Sequence, residues 1–392
     1  MKRKTLWISI IGILLIGFVC LFCYRHYIRQ KQIEQKKHTG LVSEDFPVQD
    51  IKHQSKNIYE DAYQTEADNQ LQNMRNNNSY TIEDPLVVWN PYGTNTGSFY
   101  YYGVSEQDSY VVCEVTCNNG SVIKHRLKND SDSGVTKTHE YLITGLAPGL
   151  ENHFSLAFYD AGNNLIHTYQ YTVTLKKDKQ IPAITKVEKG NSKSSLTDGL
   201  FAVLGHDKSK AKNIYYYDNN GICRGKTPLN DYRTDRILTI DGKLVYSYSL
   251  TDIAFVNRLG KVEKTLSLGK YELHHDFMYD EKRNELLCLV NDTDKDTIED
   301  VLISVNIETG KIKKLVDFEK MMKSMRKRSV QRKGGKNTYG GTELDWLHLN
   351  SLDMINDKDA VFSSREESVI IKINNIYENP SIDYLIHSGS LY

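Results

Sequence analysis

Proline is scarce in this 392-residue sequence, at seven, and its six cysteines fall into no spacing with histidine that resembles a zinc site. There is no Walker loop, no dinucleotide fingerprint and no Ser-His-Asp order of the hydrolase kind, so the sequence gives nucleotide and serine-nucleophile chemistry no foothold and no cofactor is expected. The chain is 39% apolar, 26% charged and 10% aromatic, which excludes wholesale disorder and fibrous repeats. Charge of one sign is missing too, since 50 Lys+Arg balance 50 Asp+Glu. That balance conceals an asymmetry. Residues 1–40 carry eight bases against the single acid Glu34, which leaves 42 bases and 49 acids, a net −7, for the rest. A mildly acidic body has no electrostatic footprint for nucleic acid.

The basic start surrounds the strongest apolar run. Residues 6–24 (LWISIIGILLIGFVCLFCY) carry no charge and would span about 28 Å as a helix, close to a hydrocarbon core of roughly 30 Å. No small-residue cleavage site follows, and Val19 and Phe22 are too large for a lipobox before Cys20 or Cys23. The expectation is an uncleaved anchor over residues 1–24, holding a single-pass protein in the cell membrane with its body outside the cytoplasm. Residues 25–80 are polar and read as a tether, with a helix predicted over 58–74 from the spacing of Tyr59, Tyr63, Ala67 and Leu71. Of the four body cysteines, Cys113 and Cys117 lie four apart in a predicted strand, about 13 Å, too far to bridge without a sharp bend. Buried free thiols are expected at Cys113, Cys117, Cys223 and Cys288.

The body reads as all-β. Seven short alternating strands are predicted at 86–89, 98–103, 110–116, 122–127, 139–144, 152–159 and 165–173, with turn chemistry between them at Asn118-Asn119-Gly120 and Ala161-Gly162-Asn163-Asn164. This pattern predicts an immunoglobulin-like β-sandwich over 81–176. From 177 to 392 the strands come in four groups joined by tight turns, the mark of propeller blades. Between the third and fourth groups lies a very basic insertion, 318–341, with a predicted helix over 318–327. A solvated face explains such a run most simply; capture of anionic substrates or of an anionic membrane surface is the alternative.

The candidate chemistry sits at the starts of strand groups. His274-His275-Asp276 opens the third, Trp346-Leu347-His348-Leu349-Asn350-Ser351 opens the fourth, and Ser363-Ser364-Arg365 follows the fourth group's second strand. If blade-starting strands line a common channel, these residues converge from distant stretches. Any one histidine in a strand is more often structural than catalytic.

With Asn90-Pro91-Tyr92-Gly93-Thr94-Asn95-Thr96, Ile143-Thr144-Gly145-Leu146, Asn152 and Asp160-Ala161-Gly162-Asn163, followed in order by the histidine blocks, Glu299-Asp300-Val301, Asp345-Trp346 and Ser363-Ser364-Arg365 with Ser368, the sequence resembles the bacterial aryl-sulfate sulfotransferases across about 56–388. The resemblance implies a sandwich followed by a six-bladed propeller. It also implies transfer of a sulfuryl group from a phenolic sulfate ester to a phenol, by a ping-pong route through sulfohistidine. It places His274 or His275 and His348 around the sulfate, Arg365 on its oxygens, and Asn350 among the substrate-binding residues. In the family the nucleophilic histidine lies in a later blade. This sequence supplies about four of the six blades, and its one histidine after His348, His387, does not match the nucleophile's motif. The expectation is therefore a chain cut short by about a third, with little turnover alone. Its rivals are a non-catalytic module that binds sulfated ligands or mediates adhesion, and one half of an enzyme completed by a second polypeptide or a second copy.

Overall fold

The computed structural model describes residues 48–131, 133–181, 188, 190, 199–205, 212–231, 234–333 and 343–387. The predicted anchor at 6–24 lies outside these residues, and among them no helix is long and apolar enough to cross a membrane. The described chain is mostly β, as expected, in several sheets.

The first helix, α1 (Asp61–Asn77), starts and ends three residues later than its apolar spacing suggested. Asp61 in its first turn and Arg75 in its last complement the helix dipole. It is packed on the body, not held in solvent as a stalk. Ala67 and Leu71 are buried against Leu86, Val88, Tyr92 and Tyr100. Gln64, also buried, donates to the carbonyls of Ile58 and Tyr92 and accepts from Val262 N–H at 3.0 Å. A solvated tether would leave those apolar positions wet, and burying them favours docking.

Six strands follow: β1 (Leu86–Trp89), β2 (Ser98–Cys117), β3 (Ile123–Arg126), β4 (Thr136–Thr144), β5 (Glu151–Tyr159) and β6 (Leu165–Thr174). The predicted strands 98–103 and 110–116 are a single 20-residue strand. No glycine, proline or asparagine occurs between Val104 and Ser109, so nothing turns the chain back; it stays extended and slips register there. The first half of β2 pairs with β1 and β4, the second with β3 and β5. One core, including Phe99, Tyr101, Val111, Phe154, Phe158 and Tyr171, joins the two halves. Cys113, Cys117, Cys223 and Cys288 are free thiols.

Four sheets succeed one another along the rest of the chain. They are β7 (Phe201–Val203), β8 (Asn213–Tyr217) and β9 (Cys223–Pro228); β10 (Ile237–Ile240), β11 (Lys243–Ser247), β12 (Asp252–Val256) and β13 (Val262–Ser267); β14 (Tyr271–Asp280), β15 (Glu285–Asp292), β16 (Val301–Asn306) and β17 (Ile312–Asp317); and β18 (Leu349–Met354), β19 (Ala360–Ser364), β20 (Val369–Asn374) and β21 (Ser381–His387). Each is an antiparallel meander in sequence order. Each consecutive pair shares an apolar cluster: Ile214 with Tyr246 and Val256, Val245 and Phe255 with Cys288 and Ile303, and Leu289 and Leu302 with Leu349 and Phe362. The basic insertion forms α2 (Phe318–Met321) and α3 (Lys323–Lys333). Phe318 at its root is buried edge-on against Phe362 at 5.0 Å.

The six-stranded layer is fastened to the first of these sheets through buried polar groups. Arg224, fully buried, pairs with equally buried Asp218 at 2.7 Å and donates to the carbonyls of Gly145 (2.7 Å) and Ser121 (2.5 Å). Gly97 is required at this junction, because a Cβ there would stand 1.8 Å from the Arg224 carbonyl oxygen.

Candidate functional site

The third and fourth sheets meet where two strands depart from regular pairing. In β14, Leu273 pairs with Val290 and Phe277 with Cys288, so His274, His275 and Asp276 together oppose the single residue Leu289. Such a bulge breaks the in/out alternation and re-aims side chains. His275 sits there in the left-handed region, φ 54°. In β18 the extra residue is Asn350, and His348 just before the strand has φ 52°. Glu299, between β15 and β16, is left-handed too at φ 58°. For residues with a Cβ this backbone costs about 1–3 kcal/mol each, and it is tolerated only where the surroundings enforce it.

Those surroundings are specific hydrogen bonds. Glu299 N–H donates to Asn291 Oδ1 at 2.7 Å, and its carbonyl accepts from Leu349 N–H at 3.1 Å. Asp276, the last residue of the bulge, accepts from Arg236 on one side and from Leu352 N–H of β18 on the other, at 2.5 and 2.9 Å. The turn after β19 closes over the same point. Arg365 N–H donates to the His348 carbonyl at 3.0 Å, and Ser364 Oγ donates to that of Leu347.

The result brings three sequence-predicted side chains together. His275 Nε2 and His348 Nε2 lie 2.9 Å apart. His348 Nδ1 is 2.8 Å from Asp345 Oδ2 and also contacts Glu299 Oε2. Arg365 Nη2 donates to the same Asp345 oxygen at 3.2 Å and to Glu366 at 2.7 Å. His275 therefore faces His348, whereas His274 is buried edge-on behind His275, ring centroids 5.4 Å apart. Asn350 stands exposed on its bulge, and no hydrogen bond or ion pair of the cluster reaches it. His387 ends β21 opposite Val369 and is exposed.

The electrostatics favour a charged imidazole. Burial alone would lower the His348 pKa, but the bonds to Asp345 and Glu299 outweigh it and push the value up to about 9. At neutral pH the ring carries both protons, with Nδ1–H held by the carboxylates and Nε2–H directed at His275. Two donor sets, His274/His275/Glu299 and Glu299/Asp345/His348, bring ligand atoms within 4.8 Å of one another. Ligand atoms sharing one ion at about 2.1 Å stand more than about 3 Å apart. The 2.8 Å between His348 Nδ1 and Asp345 is instead the separation of a charge-assisted hydrogen bond.

Behind the cluster, fully buried Trp346 donates from Nε1 to Asp300 Oδ2 at 2.8 Å. Lys295 binds Asp300, Asp317 and Glu319 at 3.0, 3.2 and 3.2 Å. Burial still holds the Asp300 pKa above the usual carboxylate range. Ser329 of α3 donates to the Trp346 carbonyl at 3.3 Å, so the basic insertion buttresses this wall.

Glu299 and Asp345 are the site residues that the residue types alone did not single out, although both lie in sequence blocks already noted. The available signal was spacing: Asp345 precedes His348 by three residues.

The model of the family Arylsulfotransferase (ASST) matches residues 185–392, the part that carries every residue of this cluster. The comparison with curated proteins gives no match. Among solved structures, the chain is similar to the computationally designed Ika8 protein, at 12% identity over 72% of this chain and 73% of that one. The TM-score is 0.26, too slight a likeness to define the fold.

Proposed function

The chain belongs to the arylsulfotransferase family, and from that premise we propose that it moves a sulfuryl group from a phenolic sulfate ester to a phenol at the His275–His348–Arg365 cluster. The supporting observation is the meeting of two imidazoles from different sheets, 2.9 Å apart, with a guanidinium tied to the carboxylate that also holds one of them.

Each group then has a task. In the transition state the sulfuryl group spreads negative charge over three oxygens, and Arg365 stabilises that charge by charge-assisted bonds. His275 Nε2, the imidazole nitrogen facing that of His348, attacks sulfur, and the bond between sulfur and the aryl oxygen breaks with its electron pair left on the phenolic oxygen. His348, held as imidazolium, gives that oxygen the Nε2 proton. A phenol's pKa of about 10 makes an acid poised near 9 well matched to this donation. In the family's ping-pong route the sulfuryl group rests on a histidine nitrogen. The acceptor phenol then attacks sulfur, the S–N bond breaks, and the phenol's proton returns to the now neutral His348.

We further read the four successive sheets as propeller blades, with their opening strands toward a common axis, and the six-stranded layer as the family's N-terminal sandwich. The stacking of consecutive sheets through shared cores supports this. The apolar run at 6–24 is read as the anchor of a body outside the cytoplasm.

The decisive measurement is intact-protein mass spectrometry after mixing the full chain with 4-nitrophenyl sulfate, followed by peptide mapping. The expected result is a gain of one SO3 on a histidine, lost in Arg365→Ala and His348→Ala. A gain unchanged by both substitutions, or no gain together with no phenol-dependent release of 4-nitrophenol, rejects the proposal.

A further inference from the structure

The segment Asn90–Thr96 takes no part in the histidine cluster, yet its residues wall a cavity of about 570 Å³ on another part of the molecule. That volume lies within the roughly 300–1,000 Å³ of small-molecule sites. The cavity is lined by the chain before α1 with Tyr63 of that helix, the end of β1 with the segment after it, the chain after β6, and the end of β9. It shares no residue with His275, Glu299, Asp345, His348 or Arg365.

Its chemistry is of two kinds. Ile51, Ile58 and Pro228 supply aliphatic wall, and Trp89 supplies aromatic surface. The Trp89 Nε1–H is already used on the Thr96 carbonyl at 3.1 Å, so the ring presents carbon without an unmet donor. Tyr63 is held by stacking on His53, ring centroids 3.6 Å apart and 4° from parallel. Set into this apolar lining are three lysines and two aspartates: Lys52, Lys176, Lys226, Asp50 and Asp178. Asp50 pairs with Lys176 at 2.8 Å and Asp178 with Lys226 at 2.9 Å, so the excess positive charge of the lining is that of Lys52, exposed at the cavity's rim.

Lys226 is the telling residue. Its side chain is only 6% exposed, and a lysine is seldom buried without strong compensation. Its ammonium group contacts Asp178 and Gln180, two partners for three N–H donors. Its backbone is fixed by Thr96, N–H to Oγ1 at 3.1 Å and carbonyl to Thr96 N–H at 3.0 Å. The Lys176 ammonium also lies 5.6 Å from the Trp89 ring centroid, which places a second cation beside the aromatic wall.

We propose that this cavity is a second binding site, separate from the reacting histidines, for a single-ring aromatic monoanion, its ring against Trp89 and its charge shared between Lys52, which supplies the excess positive charge, and the remaining N–H of Lys226. Identifying that monoanion as an aryl sulfate rests on the proposed activity; the site itself rests on the cavity. Held there, a donor would be stored away from the reacting groups.

The test uses benzenesulfonate, an aryl anion whose sulfur is bonded to carbon and so cannot be transferred. It is titrated calorimetrically into the full-length chain. The wild type is expected to take up two equivalents. Ile51→Trp, which adds bulk to the aliphatic wall and leaves every charged lining residue in place, is expected to take up one, and Arg365→Ala one. The double variant is expected to bind none. Lys226→Met, should Ile51→Trp melt early, is expected to weaken one of the two equivalents at least tenfold. Uptake unchanged by both Ile51→Trp and Lys226→Met overturns the cavity proposal. Uptake lowered by those variants but unchanged in Arg365→Ala upholds the cavity and counts instead against the proposed reaction site. Benzoate serves as the carboxylate arm, and its binding as tightly as benzenesulfonate overturns the sulfate assignment.

Discussion

His275 and His348 meet Nε2 to Nε2 at 2.9 Å from backbones that are both left-handed, although they are 73 positions apart in the chain. Neither reaches the other by regular strand geometry. The bulge that turns His275 out of β14 ends in Asp276, which fastens β18 through Leu352 N–H, so the device that aims one histidine also positions the strand that follows the other. Loss of any part of this arrangement should be felt in the reaction before it is felt in folding.

The reaction itself gives the first expectation. Arg365→Ala should slow release of 4-nitrophenol from 4-nitrophenyl sulfate by about 10²–10³, the usual loss when a donor to developing negative charge is removed. His348→Ala should cost about 10²–10⁴, the range for a missing general acid. Arg365→Lys should recover part of the activity, because charge survives while the planar fork does not. Thermal melts of the two Arg365 variants should stay close to wild type, whereas His348→Ala, which gives up the stabilising bonds to Asp345 and Glu299, should melt lower at neutral pH. A melt collapse in the Arg365 variants that parallels their activity loss would assign Arg365 a structural role only.

The proton inventory gives the second. With His348 pushed up to about 9, the donor step should be flat through neutral pH and fall above that value. Asp345→Asn removes one of the two carboxylates that raise it and should move the falling limb toward lower pH; Glu299→Gln should do the same. The stability sign follows from the same shift. A folded pKa raised from 6.5 to about 9 contributes stability that is fully present below 6.5 and is lost as pH rises through 9. Melting temperature measured across that window should decline in the wild type and decline less in His348→Gln. A pH–rate profile identical in wild type and Asp345→Asn would remove the acid role from His348.

Much of this was written in local pattern. Strand alternation and turn residues marked four successive strand groups where the four sheets lie, since turns such as Asp241-Gly242 and Thr309-Gly310 leave little choice of where a strand stops. The cluster was legible in part: His348 and Arg365 were marked by their blocks, but choosing between His274 and His275 depends on a bulge, which no period-2 pattern contains. Glu299 lay in a marked block, but its place in the cluster was not legible, for a related reason. It reaches the site through left-handed backbone held by Asn291 and Leu349, and that is tertiary information. The fused β2 and the docked α1 were misread because register slip and helix packing depend on partners far away in sequence.

The junction between the six-stranded layer and the first sheet gives the third expectation. Arg224 and Asp218 are both fully buried, and breaking such a pair from one side leaves an uncompensated charge. Arg224→Ala should therefore cost about 3–5 kcal/mol, and it also strips the Gly145 and Ser121 carbonyls of their donor. Arg224→Met with Asp218→Asn together should cost less, because no buried charge is then left alone and the amide oxygen can still accept from the Asn220 and Ile222 N–H groups. Chemical denaturation of the two variants measures the difference. Equal destabilisation would show that packing, and not the lost charge partner, dominates here.

Trp346 links stability to chemistry, because it lies between Asp345 and His348 and hands its indole proton to Asp300. Trp346→Phe keeps most of the buried ring but leaves Asp300 without one donor, a loss of about 1–3 kcal/mol. Asp300 is already held above the ordinary carboxylate range by burial, so losing the indole proton should push it further up and weaken its bond to Lys295. The two residues should therefore be coupled. In a double-mutant cycle with Asp300→Asn, the combined loss of stability should fall short of the sum of the single losses, as expected for groups that share one hydrogen bond. If the wall they form also holds His348 in its strained backbone, the donor-step rate of Trp346→Phe should drop while its KM stays near wild type. Additive stabilities with an unchanged rate would mean that Trp346 fills space and nothing more.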